Sequence, residues 1–133
     1  MNRIVCERLH RGQDLMESIK ELAAREHLKG AVVLSAVGCV SRARLRDASG
    51  TDIQEIPEHC EIVSVTGTVS QARTHLHISL SRKDLSVLGG HLVPGCIVNT
   101  TCELVLMETG FEFGKEFDPQ TGYHEILFRE VQP

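Results

Sequence analysis

Aromatic side chains are scarce in this sequence: no Trp, one Tyr and four Phe, or 4% of 133 residues. A chain so poor in rings offers little to the bases of single-stranded nucleic acid, which their binding domains stack on aromatic platforms. Its core has to be built from Val, Ile, Leu and Ala. No apolar run approaches the roughly 18 residues that a membrane-crossing helix needs. The stretch Met1 to Arg8 lacks the apolar segment of a signal peptide, so the expected location is cytoplasmic, with no membrane partner. The five cysteines (Cys6, Cys39, Cys60, Cys96, Cys102) are an odd number and contain no Cys-x-x-Cys pair. They read as buried, reduced thiols rather than as a disulfide framework. Positive charge is short as well. A net charge of −4 and a pI near 5.9 lack the basic footprint that a phosphate backbone demands, although a local basic patch remains compatible with them. There is no Gly-x-Ser-x-Gly elbow, phosphate loop or dinucleotide fingerprint.

What is present amounts to one ordinary domain, residues 1–133, with 41% hydrophobic and 24% charged side chains. Arg3 to Leu9 reads as a first strand. Asp14-Leu15-Met16-Glu17 resembles a capping box, and Leu15, Ile19, Leu22, Ala23 and Leu28 keep helical spacing, with Gly30 as the left-handed stop. Nearly everything afterwards reads as strand. Ala31 to Val37 is an apolar run expected to be buried on both faces, interrupted by Gly38 before Val40 to Arg46. Ile53 to Ile56, Glu61 to Ser70, Thr74 to Ser81, Val87 to Leu92, Cys96 to Met107 and Tyr123 to Val131 follow. The segment with Phe111, Phe113 and Phe117 reads as a polar loop. One helix followed by many strands is an α+β pattern, a single compact domain with the helix packed on a largely antiparallel β-sheet. A single helix cannot cover so large an apolar sheet, and the remainder predicts a homo-oligomer.

The stretch Arg73-Thr-His-Leu-His-Ile-Ser-Leu-Ser81 alternates polar and apolar side chains for nine residues. His75 and His77 therefore share one face, about 7 Å apart at Cα. A turn centred on Asp84 would place Ser81 opposite Val87, Ser79 opposite Gly89, and His77 opposite His91. Opposed residues share a face with Cβ atoms roughly 5 Å apart, so three imidazoles converge. Three neutral imidazoles with one further coordination position are a ligand set used by zinc, though imidazole also suits nickel, copper and iron. Isolated or hydrogen-bonded histidines are the alternative reading. Arg42, Arg44 and Arg46 share a face that could grip a small anion or DNA phosphate, or simply be a solvated edge. Gly89-Gly90 reads either as room for a ligand or as a sheet bend. A metal-bound water would need a carboxylate, with Glu58, Glu61 and Glu103 as candidates.

Taken in order, Gly12-Gln-Asp14, Ala31-Val-Val-Leu-Ser-Ala-Val-Gly38 and Glu61-Ile-Val-Ser-Val-Thr-Gly-Thr68 resemble the plant-and-prokaryote-conserved (PPC) domain. His75-Leu-His-Ile-Ser-Leu80, Gly89-Gly-His-Leu-Val-Pro-Gly-Cys-Ile-Val98 and Thr121-Gly-Tyr123 continue the match. It runs from about Val5 to Val131. The resemblance implies an α+β subunit assembled as a homotrimer, and a metal, zinc first, held by His75, His77 and His91. Plant relatives are linked to transcription through an AT-hook, whose Arg-Gly-Arg-Pro core this chain lacks. Three functions follow as expectations. The first is a metal-binding module taking a small anionic or polar ligand; the others are a DNA-associated transcriptional regulator and a zinc-dependent enzyme.

Overall fold

The computed structural model describes residues 3–132. Its elements, in chain order, are β1 (Ile4–His10), α1 (Leu15–Arg25), β2 (Ala31–Arg46), β3 (Ile53–Ile56) and β4 (Cys60–Val69). β5 (Thr74–Ser81), β6 (Val87–Leu92), β7 (Ile97–Glu108), β8 (Phe111–Asp118) and β9 (Tyr123–Glu130) complete the chain. The α+β expectation holds: a seven-stranded antiparallel sheet runs β1-β7-β2-β4-β5-β6, with β3 on β2, and one helix covers it. β2 is long enough, at 16 residues, for its end to reach β6 as well, pairing Arg46 with His91. The sheet therefore curls, and that curl brings β6 to the end of β2.

Asp14 caps the helix as expected, its Oδ1 accepting from the Glu17 amide at 3.0 Å while Oδ2 accepts from the Gly95 amide at 2.7 Å. Leu15, Ile19, Leu22 and Ala23 are buried against the sheet. The helix stops sooner than the spacing suggests. His27, at φ 53°, supplies the left-handed residue after Arg25, and Gly30 does not. Gly30 serves close packing instead: a Cβ there would press into the Phe111 carbonyl and lie 2.9 Å from the Phe113 ring.

Several further expectations need correction. Gly38 does not divide β2, because irregular register at Val33/Ser35, Gly38/Cys39 and Val40/Arg42 lets one strand absorb the break. A shift between Ile62 and Ser64 turns Ile62 and Val65 to the core and leaves Val63 outside, so strict alternation misassigns the faces of β4. The Phe-containing segment is not a loop. It is β8, paired residue for residue with β9 in a separate two-stranded sheet. The first part of β2 is not buried on both faces either, since Leu34 and Val37 are 51% and 55% exposed. Val63, at 56%, joins them. Cys60, Cys96 and Cys102 are buried and Cys39 half-buried, but Cys6 is exposed; all five are free thiols. Burial lifts the Cys96 and Cys102 thiols to about 11, which keeps them protonated.

Candidate metal centre

β5 alternates cleanly: Leu76, Ile78 and Leu80 enter the core, while His75, His77 and Ser79 face out. Asp84 tightens the following turn, its Oδ1 accepting from the Ser86 amide at 2.9 Å. The register is the one that an Asp84-centred turn predicts, with Ser81 opposite Val87, Ser79 opposite Gly89, and His77 opposite His91. Gly89 is required by the chain rather than by space for a ligand. A Cβ there would press into the Ile78 carbonyl and lie 3.2 Å from the Ser79 Cα.

The result is a triangle of imidazoles. Ring centroids of His75 lie 5.1 Å from both His77 and His91, and those of His77 and His91 lie 5.6 Å apart. One nitrogen of each ring falls within 4.8 Å of the others. Tetrahedral zinc with Zn–N near 2.1 Å wants nitrogens about 3.4 Å apart, so the rings need only tip inward by about an ångström. Protonation does not oppose this. His91 is pushed down to about 4, first by burial and then by the Arg46 guanidinium, and His75 is lowered by burial and by Arg73. Metal ligation needs neutral rings, and the downward shifts of His75 and His91 favour that form. His91 Nδ1 is buried and has no hydrogen-bond partner, a condition that coordination through that nitrogen would relieve. The donor set thus fits a transition metal.

Arg42, Arg44 and Arg46 alternate with buried Ala43 and Leu45 and so share a face, but their surroundings differ. Arg42 is exposed and Arg44 is paired with Glu55 at 2.8 Å. Arg46 ends β2 opposite His91 and belongs to the histidine cluster. Arg73 reaches the cluster as well, Nη2 lying 3.4 Å from His75 Nδ1. The carboxylates expected near the metal sit elsewhere: Glu58 pairs with Arg82 at 3.0 Å, and Glu61 and Glu103 lie opposite Cys39 and Val37. The acid that does face the histidines is Glu125 of β9, which with Tyr123 walls a cavity shared with Arg46, Arg73, His75 and His91. Sequence reading missed Arg73 and Glu125. Arg73 precedes the histidine pair by two residues and was available to a period-two reading. Glu125 arrives through the fold of the β8–β9 hairpin, and nothing local announces it.

Fold and cluster together define a small α+β domain bearing a three-histidine group on the strand face away from its helix. The Plants and Prokaryotes Conserved (PCC) domain matches residues 1–110. The chain belongs to that family. It is similar to the bifunctional protein GlmU of two Synechococcus strains, at 39% identity over 125 residues (93% of this chain) and 37% over 130 residues (97%). The chain spans only 20% and 21% of those proteins. Among solved structures, a hypothetical protein from Salmonella enterica superposes with a TM-score of 0.94 at 28% identity, covering 98% of this chain and 95% of that one. A metal-containing protein from Archaeoglobus fulgidus gives 0.78 at 30% identity, covering 94% and 93%. A PPC protein from Pyrococcus horikoshii gives 0.76 at 23%, covering 98% and 94%, a likeness of fold alone.

Proposed function

We propose that the chain is a metal-binding module in which His75, His77 and His91 hold a transition metal, zinc by preference of the donor set, and a small anionic ligand completes the coordination. The observation that carries this reading is the convergence of three imidazoles, each offering a nitrogen within 4.8 Å of the others. The metal-containing relative from Archaeoglobus fulgidus supports it. Metal analysis of untagged protein tests it, with stoichiometric metal expected in the wild type and a large loss in His77→Ala. Equal content in the two would end the proposal.

The module works as a single domain over residues 1–133 and as a homotrimer. The exposed Leu34, Val37 and Val63 supply an apolar surface of the kind that self-association buries. Sedimentation analysis should give three times the 14.7 kDa chain mass. The other readings have less support. DNA contact by Arg42, Arg44 and Arg46 as a unit is weakened by the Arg44–Glu55 pair and by the net charge of −4. A salt-sensitive mobility shift with duplex DNA would reinstate it. A zinc-dependent enzyme draws support from Glu125 at the cavity wall.

A further inference from the structure

Among the described residues, two side-chain nitrogens or oxygens are buried without any hydrogen-bond partner: Arg46 Nε and His91 Nδ1. Both belong to one register pair, at the junction of β2 and β6. His91 Nδ1 is relieved if it is the nitrogen through which that ring takes a metal. Arg46 Nε is not, because a guanidinium donates and cannot ligate a cation. An orphaned buried donor on a fixed charge asks for an acceptor.

The surroundings narrow the chemistry of that acceptor. Nε and the adjacent Nη form the edge of a guanidinium that meets a carboxylate with two parallel hydrogen bonds. Arg73 stands on the same cavity, its Nη2 set against His75 Nδ1 at 3.4 Å. That contact is long, and it competes with coordination: a ring nitrogen accepting from a guanidinium is not free to bind metal, and its opposite nitrogen then carries the hydrogen. Turning Arg73 toward a bound anion frees His75. The cavity lined by Arg46, Arg73, His75, His91, Tyr123 and Glu125 measures about 300 Å³, at the small end of ligand pockets. A companion cavity of about 370 Å³ lies across Arg46 and His91, toward Gly89 and Gly90.

Charge within the first cavity is unequal. Two guanidinium groups and His124 share this lining with one carboxylate, Glu125, and a bound metal would add its own positive charge, so an anionic guest suits the cavity. Glu125 itself repels acceptors and favours a guest that donates a hydrogen bond toward it.

We infer that Arg46 and Arg73 hold the carboxylate of a small 2-hydroxycarboxylic acid, with its hydroxyl turned toward Glu125 and the histidines. This deepens the metal-module reading by assigning its ligand class, and the hold on the carboxylate belongs to the arginines rather than to the metal.

Titration calorimetry with glycolate tests the assignment, using acetate and inorganic phosphate as controls, on metal-replete and chelator-treated protein. Glycolate should bind at least about tenfold more tightly than either control, and Arg46→Ala should remove at least about tenfold of that affinity. Arg46→Lys, which keeps the charge and spares the fold, should lose most of the same factor because the two-pronged edge is gone. Glu125→Gln should narrow the gap between glycolate and phosphate, a change that a merely structural role would not produce. Equal affinity in wild type and Arg46→Lys, phosphate binding as tight as glycolate, or no glycolate binding would each overturn the inference. Metal lost from His77→Ala together with glycolate binding indifferent to Arg46 would leave the metal reading standing and this one refuted. Arg46-dependent glycolate binding in a protein that holds no metal would do the reverse.

Discussion

Replacing Gly89 by Ala tests whether the histidine triangle depends on close approach of β5 and β6. The added Cβ would press into the Ile78 carbonyl oxygen and lie 3.2 Å from the Ser79 Cα. Carbon atoms rest about 3.5 to 4.0 Å apart, so relief of the Ser79 contact alone needs about 0.5 Å, and the carbonyl demands more. The listener to that shift is the His77–His91 pair, two residues further along the same ladder. Backbone on both sides leaves no flexible side chain to yield, and overpacking of this kind costs about 1–3 kcal/mol. For a domain of this size that is a fall in melting temperature of roughly 3–15 °C. Splaying the imidazoles should also weaken metal binding by roughly tenfold or more, by analogy with loss of a supporting contact. Differential scanning calorimetry and competition with a chelating dye read the two effects. Gly110→Ala is the control, because a Cβ there meets nothing within 4 Å. A Gly89→Ala protein that melts with that control and keeps wild-type zinc affinity would refute the packing claim and its link to the site.

Ser70→Ala should cost about 1–3 kcal/mol in denaturant titration, because buried Ser70 Oγ donates to the Phe113 carbonyl at 2.8 Å and accepts from the Arg73 amide at 3.0 Å. The same change should make the β8–β9 hairpin easier to clip with protease. Acid should destabilise the metal-free protein in a defined window. His75 and His91 take protons less readily when folded, so the stability they lend is intact above the ordinary histidine value of 6.5 and is lost as pH falls below it, down to about 4 for His91. Denaturation midpoints across that range should fall, and His91→Gln should flatten the slope. Val63→Asp should shift sedimentation toward the 14.7 kDa monomer if the exposed strip on β2 and β4 is the self-association surface.

Much of this centre was legible in the chain. The Asp84 turn fixes the β5–β6 register through its side-chain contact with Ser86, and period two then decides which way His75, His77 and His91 point. Asp14 announces the helix for the same local reason. Features set by distant contacts were not legible. The bulge that turns Val63 outward depends on how β4 meets β5, and alternation cannot foresee it. β8 was legible but overlooked: Phe111, Phe113 and Phe117 fall on one face at period two, with polar residues and Gly114 between them. Arg46 looked like one of three surface arginines. Only the curl that brings the end of β2 to β6 separates it from Arg42 and Arg44.

The β8–β9 hairpin gathers every ring of the phenylalanines and the sole tyrosine, and Tyr123 stands on the wall of the arginine cavity. With no tryptophan to outshine it, intrinsic emission from this protein is a signal from that one wall. Its changes on adding metal or an organic acid would register occupancy directly, whereas the same signal in a melting experiment would follow the arm and miss the aliphatic interior.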